Sequence, residues 1–151
     1  MSHHILIKNG HIVTLDDTTG DLSNADILIE DDLIVAIGSG LSTSSGNSET
    51  IEAHGRLIIP GMVDTHRHSW EGQLRRINPN AESLEHYCNA THFSFAQYYR
   101  PRDIYVGNML TAPGCMDAGI TTVIDNPPNI RSASHSQSSV EAMLAAGRRA
   151  L

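Results

Sequence analysis

Cysteine is scarce in this chain of 151 residues, which contains only Cys88 and Cys115. Their separation and the lack of a Cys-x-x-Cys pair exclude a disulfide scaffold and a cysteine-rich zinc finger. Lysine occurs once, at Lys8, and the net charge is -7. This acidic balance disfavours binding to nucleic acid or to an anionic membrane surface.

Long apolar runs are also missing, and none approaches the roughly 20 residues that a membrane span requires. The segment from Met1 to Ile7 has neither the basic start nor the apolar core of a signal peptide. We therefore expect a cytoplasmic protein that has no nucleic-acid or membrane partner. Its length is sufficient for one sizeable hydrophobic core.

The first part of the chain contains short apolar segments separated by turn residues, a pattern that predicts strands. We expect one hairpin at Asn9-Gly10, the strongest hairpin dipeptide, and a second at Asp31-Asp32. A polar surface loop follows, and further short strands are expected at 50–53 and 56–59. Together these elements predict a small antiparallel β-sandwich segment over residues 1–58.

An apolar strand from Leu57 is expected to end in Asp64, His66 and His68. Alternate side chains of a strand point to the same face, so these three polar groups would lie together. Two imidazoles on one face are well placed to bind one divalent metal ion, and Asp64 would be either a further polar group in the site or an outer partner of these ligands. The alternative, ordinary loop histidines, is disfavoured by the apolar lead and the Pro60-Gly61 turn.

The rest of the chain alternates between predicted helices and strands. A helix is expected to begin at Pro101 and to break or kink at Pro113-Gly114. A buried strand over 119–125 precedes a serine-capped helix over 134–146. The core face of that helix would carry Val140, Met143 and Leu144, and a new strand would begin at 148. This alternation predicts a parallel α/β sheet, and the polar strand ends favour a (β/α)8 barrel.

Residues 60–68, Pro-Gly-Met-Val-Asp-Thr-His-Arg-His, and residues 118–125, Ala-Gly-Ile-Thr-Thr-Val-Ile-Asp, carry a family resemblance. The chain resembles the metal-dependent amidohydrolase superfamily, in the branch of cytosine-, guanine- and triazine-type deaminases and chlorohydrolases. The resemblance implies that His66 and His68 bind a divalent metal, with zinc the default and iron an alternative. It also implies an incomplete TIM barrel over 59–151, because further ligands in the family come from later strands.

The resemblance also implies that the loop after His68 helps to shape a substrate pocket. Trp70 and Glu71 are the candidate substrate-binding residues, with Glu71 bonding a ring nitrogen or an amine. Core packing of Trp70 and a solvated Glu71 are the alternatives, and Asp125-Asn126 are either site or turn residues. Four further histidines have no ligand-like spacing and are expected in surface or structural roles: His54, His86, His92 and His135.

The expected activity is metal-dependent hydrolysis of a non-peptide carbon–nitrogen bond in a small heterocyclic or amide substrate. Deamination of a heterocyclic amine is the first choice, and opening of a cyclic amide, as in hydantoinases and dihydroorotases, is the second. A closed barrel needs roughly 250 residues, so we expect this chain to be an N-terminal part that is inactive alone. The rival hypothesis is a non-catalytic truncated paralogue that docks on a full-length subunit. Homo-oligomerisation of the full-length protein is left open.

Overall fold

The computed structural model describes residues 2–77 and 80–151 and shows a mixed α/β protein. The chain forms two compact units, Met1–Pro60 and Gly61–Leu151. In the described part of the chain, no helix has both the length and the apolar character needed to cross a lipid bilayer.

The first unit contains one five-stranded sheet. Its strands are β1 (His4–Ile12), β2 (Leu22–Glu30), β3 (Leu33–Gly38), β4 (Ser48–Glu52) and β5 (Leu57–Ile58). Strands β1, β2 and β3 pair antiparallel, but β4 and β5 both pair with β1 in parallel. The expectation of an antiparallel sheet is therefore wrong for the last two strands, because the loop over 39–47 carries the chain across to the free edge of β1.

Of the two hairpins predicted for the first unit, one is confirmed and the other is wrong. The turn at Asp31-Asp32 is confirmed, since Glu30 pairs with Leu33 across it. The hairpin at Asn9-Gly10 is wrong, because β1 runs through both residues with a register shift there. Asn9 has a φ of 62° and forms a bulge rather than a reversal. Glycine at the next position avoids a close contact, because a Cβ on Gly10 would lie 3.0 Å from Cγ1 of the flexible Ile58 side chain.

A small apolar cluster and one buried carboxylate lie inside this sheet. Ile12, Ala25 and Ile27 form the buried centre. Asp26 is only 2% exposed, and its two carboxylate oxygens each accept a hydrogen bond at 2.9 Å, from the main-chain N–H groups of Asn9 and Leu41. This carboxylate therefore fixes the bulge and the loop after β3.

The second unit contains a parallel sheet of three strands in the order β6 (Met62–Arg67), β7 (Ile120–Asp125) and β8 (Arg149–Ala150). The predicted parallel repeat is confirmed. The single buried strand from Leu57 to the histidines is wrong, because the chain leaves the first sheet at Pro60, which has no N–H to donate. Met62 and Val63, at the start of β6, are 50% and 58% exposed.

Three α-helices complete the second unit: α1 (Leu84–Ala90), α2 (Pro101–Asp117) and α3 (Ala133–Ala145). Two 3-10 helices, Ser69–Leu74 and Ala96–Tyr98, lie between β6 and α2. Helix α2 begins at Pro101 as predicted, and the Asp103 side chain accepts a hydrogen bond from the N–H of Arg100. The break expected at Pro113 is wrong, because α2 continues through it to Asp117, whereas a kink there, the other form of the expectation, stays a prediction.

The core face of α3 differs from the prediction. Met143 is buried as expected, but Val140 and Leu144 are 55% and 73% exposed. Ser139 is buried instead, because its hydroxyl accepts a hydrogen bond of 2.9 Å from the amide of Asn108 in α2. With this polar contact between α2 and α3, the apolar side chains of Val140 and Leu144 lie partly outside the packing of α3.

Candidate metal and substrate site

The two predicted metal ligands lie at the carboxyl end of β6. His66 is within the strand and His68 follows it directly. Their ring centroids are 5.0 Å apart and their planes are inclined by 79°. The structure therefore brings the two imidazoles together, as side chains at alternate positions near a strand end allow.

The end of β7 fixes the orientation of His68. Nδ1 of His68 lies 2.5 Å from the main-chain oxygen of Asn126, and a carbonyl oxygen only accepts hydrogen bonds. Nδ1 therefore carries the proton, and Nε2 of the neutral ring is left with its lone pair. A carbonyl on one ring nitrogen and a free lone pair on the other is the arrangement found in most metal-binding histidines.

Asp125 and Asn126 also hold the main chain on both sides of His68. The N–H of Ser69 donates to Oδ1 of Asp125 at 3.0 Å. The N–H of Asn126 donates to the main-chain oxygen of Arg67 at 2.7 Å. These residues therefore join the ends of two neighbouring strands around the His68 position, a contribution that goes beyond turn formation.

The carboxylate of Asp64 accepts hydrogen bonds from two neighbours in β6. Nε of Arg67 donates to its Oδ2 at 2.5 Å, and the N–H of His66 donates to its Oδ1 at 3.2 Å. Burial would raise the pKa of Asp64, but these hydrogen bonds and the charges of Arg67 and Arg148 outweigh it and lower the pKa. The carboxylate is therefore ionised at neutral pH, and its role as an outer partner of the metal ligands stays a prediction.

Glu71 belongs to a hydrogen-bonded group behind the histidine pair. The hydroxyl of Tyr87 donates to Oε1 of Glu71 at 2.5 Å, and Nδ1 of His92 lies 4.0 Å from the same oxygen. The ring of His92 is 5.5 Å from the ring of His68, centroid to centroid. Burial and then the hydrogen bond to Glu71 raise the pKa of Tyr87, so its proton is retained at neutral pH.

Trp70 is fully buried. Its ring packs edge-on against Tyr99 and His92, with centroid distances of 5.0 and 5.5 Å. Burial raises the pKa of Tyr99 to about 12, with smaller contributions from Asp103 and Glu71. Trp70 thus packs in a small core with Ala96 and Ile104, and its role in substrate binding stays a prediction.

A cleft of about 760 Å³ joins the metal candidates to Glu71. The side chains of His66, His68, Glu71 and Arg75 line it on one side, and residues of α2 line it on the other. Within residues 2–77 and 80–151, no group of three or more His, Cys, Asp or Glu side chains is arranged to hold a metal ion. Two imidazoles are fewer ligands than a catalytic metal site needs, so they suit a divalent metal only within a larger ligand set, and their role as ligands stays a prediction.

Sequence reasoning missed His92 and Tyr87 as neighbours of the site. Both lie more than 15 residues after His68, and a 3-10 helix and α1 bring them back to it; no regular spacing in the sequence indicates this. Burial and the proximity of His68 lower the pKa of His92. The other three histidines that were expected in surface or structural roles lie elsewhere. His54 and His86 are exposed, and His135 contacts the main-chain oxygen of Tyr99.

Known proteins resemble the chain over most of its length, although no protein-family model matches it. A 5'-deoxyadenosine deaminase of Methanosarcina acetivorans is 30% identical over 121 residues, which are 80% of this chain and 27% of that protein. A dihydroorotase of Trichlorobacter lovleyi is 40% identical over 65 residues, or 43% of this chain and 15% of the dihydroorotase.

A solved structure shows the same similarity. The zinc complex of the atrazine chlorohydrolase TrzN from Arthrobacter aurescens TC1 matches 97% of this chain and 34% of its own, with a TM-score of 0.84 and 30% identity. The chain thus spans about a quarter to a third of the length of these proteins. The resemblance expected from residues 60–68 and 118–125 is confirmed, and the chain matches part of the amidohydrolase superfamily in sequence and in fold.

Proposed function

We propose that this chain belongs to a metal-dependent hydrolase that cleaves a carbon–nitrogen bond in a small molecule, by deaminating a heterocyclic amine. The observation that carries the proposal is the His66–His68 pair, in which a main-chain carbonyl holds His68 with Nε2 free. The similarity to a deaminase and to a zinc-containing chlorohydrolase supports it. A cytoplasmic location and a small-molecule substrate are parts of the same proposal.

The proposal extends to the fold of the complete protein. The parallel order of β6, β7 and β8 and the likeness to the chlorohydrolase support the second unit as the first part of a (β/α)8 barrel. The five-stranded sheet of the first unit would be a segment of a β-sandwich. In such a barrel, side chains at the carboxyl ends of strands carry out the chemistry, and His66, His68 and Asp125 stand at such ends.

His66 and His68 would hold the metal, with zinc the first choice and iron the alternative. The bound ion would supply an activated water as nucleophile near neutral pH. Asn126 and Asp125 keep His68 in place, and Glu71 would accept a hydrogen bond from the substrate amine while Trp70 supports the wall behind it. A catalytic site needs three protein ligands, so we propose that polypeptide outside these 151 residues supplies at least one more.

The test is hydrolysis and zinc binding by the complete protein that carries this segment. Ammonia release from 5'-deoxyadenosine should require zinc, stop on chelation and return when zinc is restored. His68→Ala should lower zinc affinity more than 100-fold, since loss of an outer partner alone costs roughly 10–100-fold. The matched control is His54→Ala, which removes an exposed imidazole of the first unit and should change neither quantity.

Two alternatives have their own observations. The dihydroorotase similarity favours opening of a cyclic amide by the same residues. The presence of only two imidazoles, without a third ligand among the described residues, favours a non-catalytic product that docks on a full-length subunit. If neither zinc nor iron supported hydrolysis by any purified form, the hydrolase proposal would be contradicted and this second alternative would be favoured.

A further inference from the structure

Tyr87, a residue outside the predicted site, directs its proton at Glu71. A phenol meets a carboxylate only as a donor, so Tyr87 supplies the proton of its 2.5 Å hydrogen bond to Oε1. The side chain of Glu71 is 23% exposed, and its Oε1 accepts this hydrogen bond. Glu71 is therefore held as an acceptor.

The hydrogen bonds of Thr91 determine which nitrogen of His92 is protonated. Oγ1 of Thr91 donates its only proton to the main-chain oxygen of Tyr87 at 2.7 Å. The same Oγ1 lies 2.8 Å from Nδ1 of His92, so it accepts the proton of that nitrogen. The proton on Nδ1 is therefore committed to Thr91, and Oε1 of Glu71, 4.0 Å away, is beyond hydrogen-bond distance. This leaves the hydroxyl of Tyr87 as the donor to Glu71.

We infer, as an extension of the proposed function, that Tyr87 is a positioning residue that holds Glu71 as a hydrogen-bond acceptor beside the histidine pair. The site consequently takes substrates that present N–H groups and rejects substrates that present a carboxylate. Tyr87 is not among the described residues that line the cleft, whereas Glu71 is. Tyr87 therefore acts on the substrate through Glu71.

Charge accounts for the selectivity. A substrate carboxylate that enters the cleft would lie near the partly buried carboxylate of Glu71. Repulsion between two carboxylates disfavours binding. Of the two arginines that line the cleft, Arg67 is paired with Asp64 and Arg75 is exposed to solvent. An exposed charge is screened by salt, so Arg75 compensates little. The relatives include both substrate types, a nucleoside deaminase and a dihydroorotase.

The experiment compares two probes, 5'-deoxyadenosine and dihydroorotate, on the zinc-loaded complete protein. We expect kcat/KM for the amine to exceed that for the carboxylate at least 100-fold. Tyr87→Phe should raise KM for 5'-deoxyadenosine about tenfold, the cost of one hydrogen bond to a charged group, with kcat and zinc content nearly unchanged. Tyr98→Phe is the matched control, because Tyr98 is 77% exposed, and it should leave KM unchanged.

A double-mutant cycle separates positioning from general structural damage. In a Glu71→Ala background, Tyr87→Phe should have no further effect on KM, because the residue through which it acts is gone. Equal effects of Tyr87→Phe in both backgrounds would overturn the inference while leaving the hydrolase proposal intact. A preference for dihydroorotate would overturn the inference and would replace deamination by the opening of a cyclic amide as the proposed reaction. Failure of the protein to bind or hydrolyse either probe would overturn the proposed function, and the inference with it.

Discussion

The two units differ in whether their buried polar side-chain atoms have hydrogen-bond partners. In the first unit the buried carboxylate of Asp26 has a hydrogen-bond donor on each oxygen. Among the described residues, every buried side-chain N or O atom that lacks a hydrogen-bond partner lies in the second unit, on Ser69, Trp70, Tyr99, Asn108, Asp125, Asn129 and Arg148. Natural proteins satisfy nearly all such groups, and exceptions concentrate at functional sites. We therefore expect the first unit to serve as a scaffold and the second unit to carry the proposed site.

The two units also differ in how closely main-chain segments pack within each of them. One glycine in each unit allows this difference to be tested. A Cβ on Gly107 in α2 would lie 2.9 Å from the main-chain carbon of Trp70, whereas a Cβ on Gly10 would meet the flexible end of Ile58. We expect Gly107→Ala to destabilise the chain by about 3 kcal/mol and Gly10→Ala by about 1 kcal/mol, since overpacking is worst where backbone must move. Chemical denaturation measures both. Equal losses would show that the second unit is no more tightly constrained than the first.

The next largest effect is expected from Asp26, the satisfied carboxylate of the first unit. Asp26→Ala leaves the N–H groups of Asn9 and Leu41 without acceptors, which should lower the free energy of unfolding by about 2–3 kcal/mol. Asp21→Ala removes an exposed carboxylate nearby and serves as the control. A loss no greater than that of the control would remove the basis for regarding this unit as a scaffold that depends on its polar contacts.

The same carboxylate predicts a pH dependence with a definite sign. Burial would raise the pKa of Asp26, but the N–H groups of Asn9 and Leu41 and the charge of Lys8 outweigh it, so the pKa lies below the ordinary 3.8. A lowered pKa in the folded state stabilises the protein above the unfolded value, and this stability is lost as the pH falls through the folded pKa. Wild type should therefore lose stability below about pH 4 more steeply than Asp26→Ala.

Asp125 tests whether the second unit uses its polar groups for metal binding rather than for stability. Asp125→Ala removes the acceptor of the Ser69 N–H and should weaken zinc binding by the complete protein roughly 10–100-fold, as losses of outer partners do. Asp125→Asn keeps an oxygen for that N–H and should restore most of the affinity. Asp117→Ala, an exposed carboxylate at the end of α2, is the control. An Asn variant as weak as the Ala variant would mean that the charge, not the hydrogen bond, matters.

Much of the second unit could be predicted from local sequence. Pro101 begins α2, and residues 120–125 form a parallel strand beside β6, because Pro at the first helical turn and a short apolar run are local signals. The proximity of His66 and His68 followed from strand geometry. The placement of Tyr87 and His92 could not be predicted, since it depends on how the segment between β6 and α2 folds back.

The errors in the first unit have the same origin. Asn9-Gly10 is a strong hairpin signal, yet β1 continues through it because the main chain there pairs with β2 on both sides and donates to Asp26. The parallel pairing of β4 and β5 with β1 depends on a long loop that carries no directional signal. Tertiary hydrogen bonds decided both outcomes, and a short sequence window does not contain them.

The smallest effect on stability is expected at Arg148. A substitution there tests most directly how the two units differ in their buried polar groups. Arg148 is 7% exposed, and none of the three nitrogens of its guanidinium has a hydrogen-bond partner among the described residues. A buried charge in this state costs free energy, and an apolar residue of similar length often improves stability. We therefore expect Arg148→Met to stabilise the 151-residue chain by about 1 kcal/mol in denaturant unfolding, whereas Arg149→Met, at an exposed neighbour, should be neutral. Destabilisation by Arg148→Met would show that its attraction to Asp64 already satisfies it, and the second unit would then resemble the first in this respect.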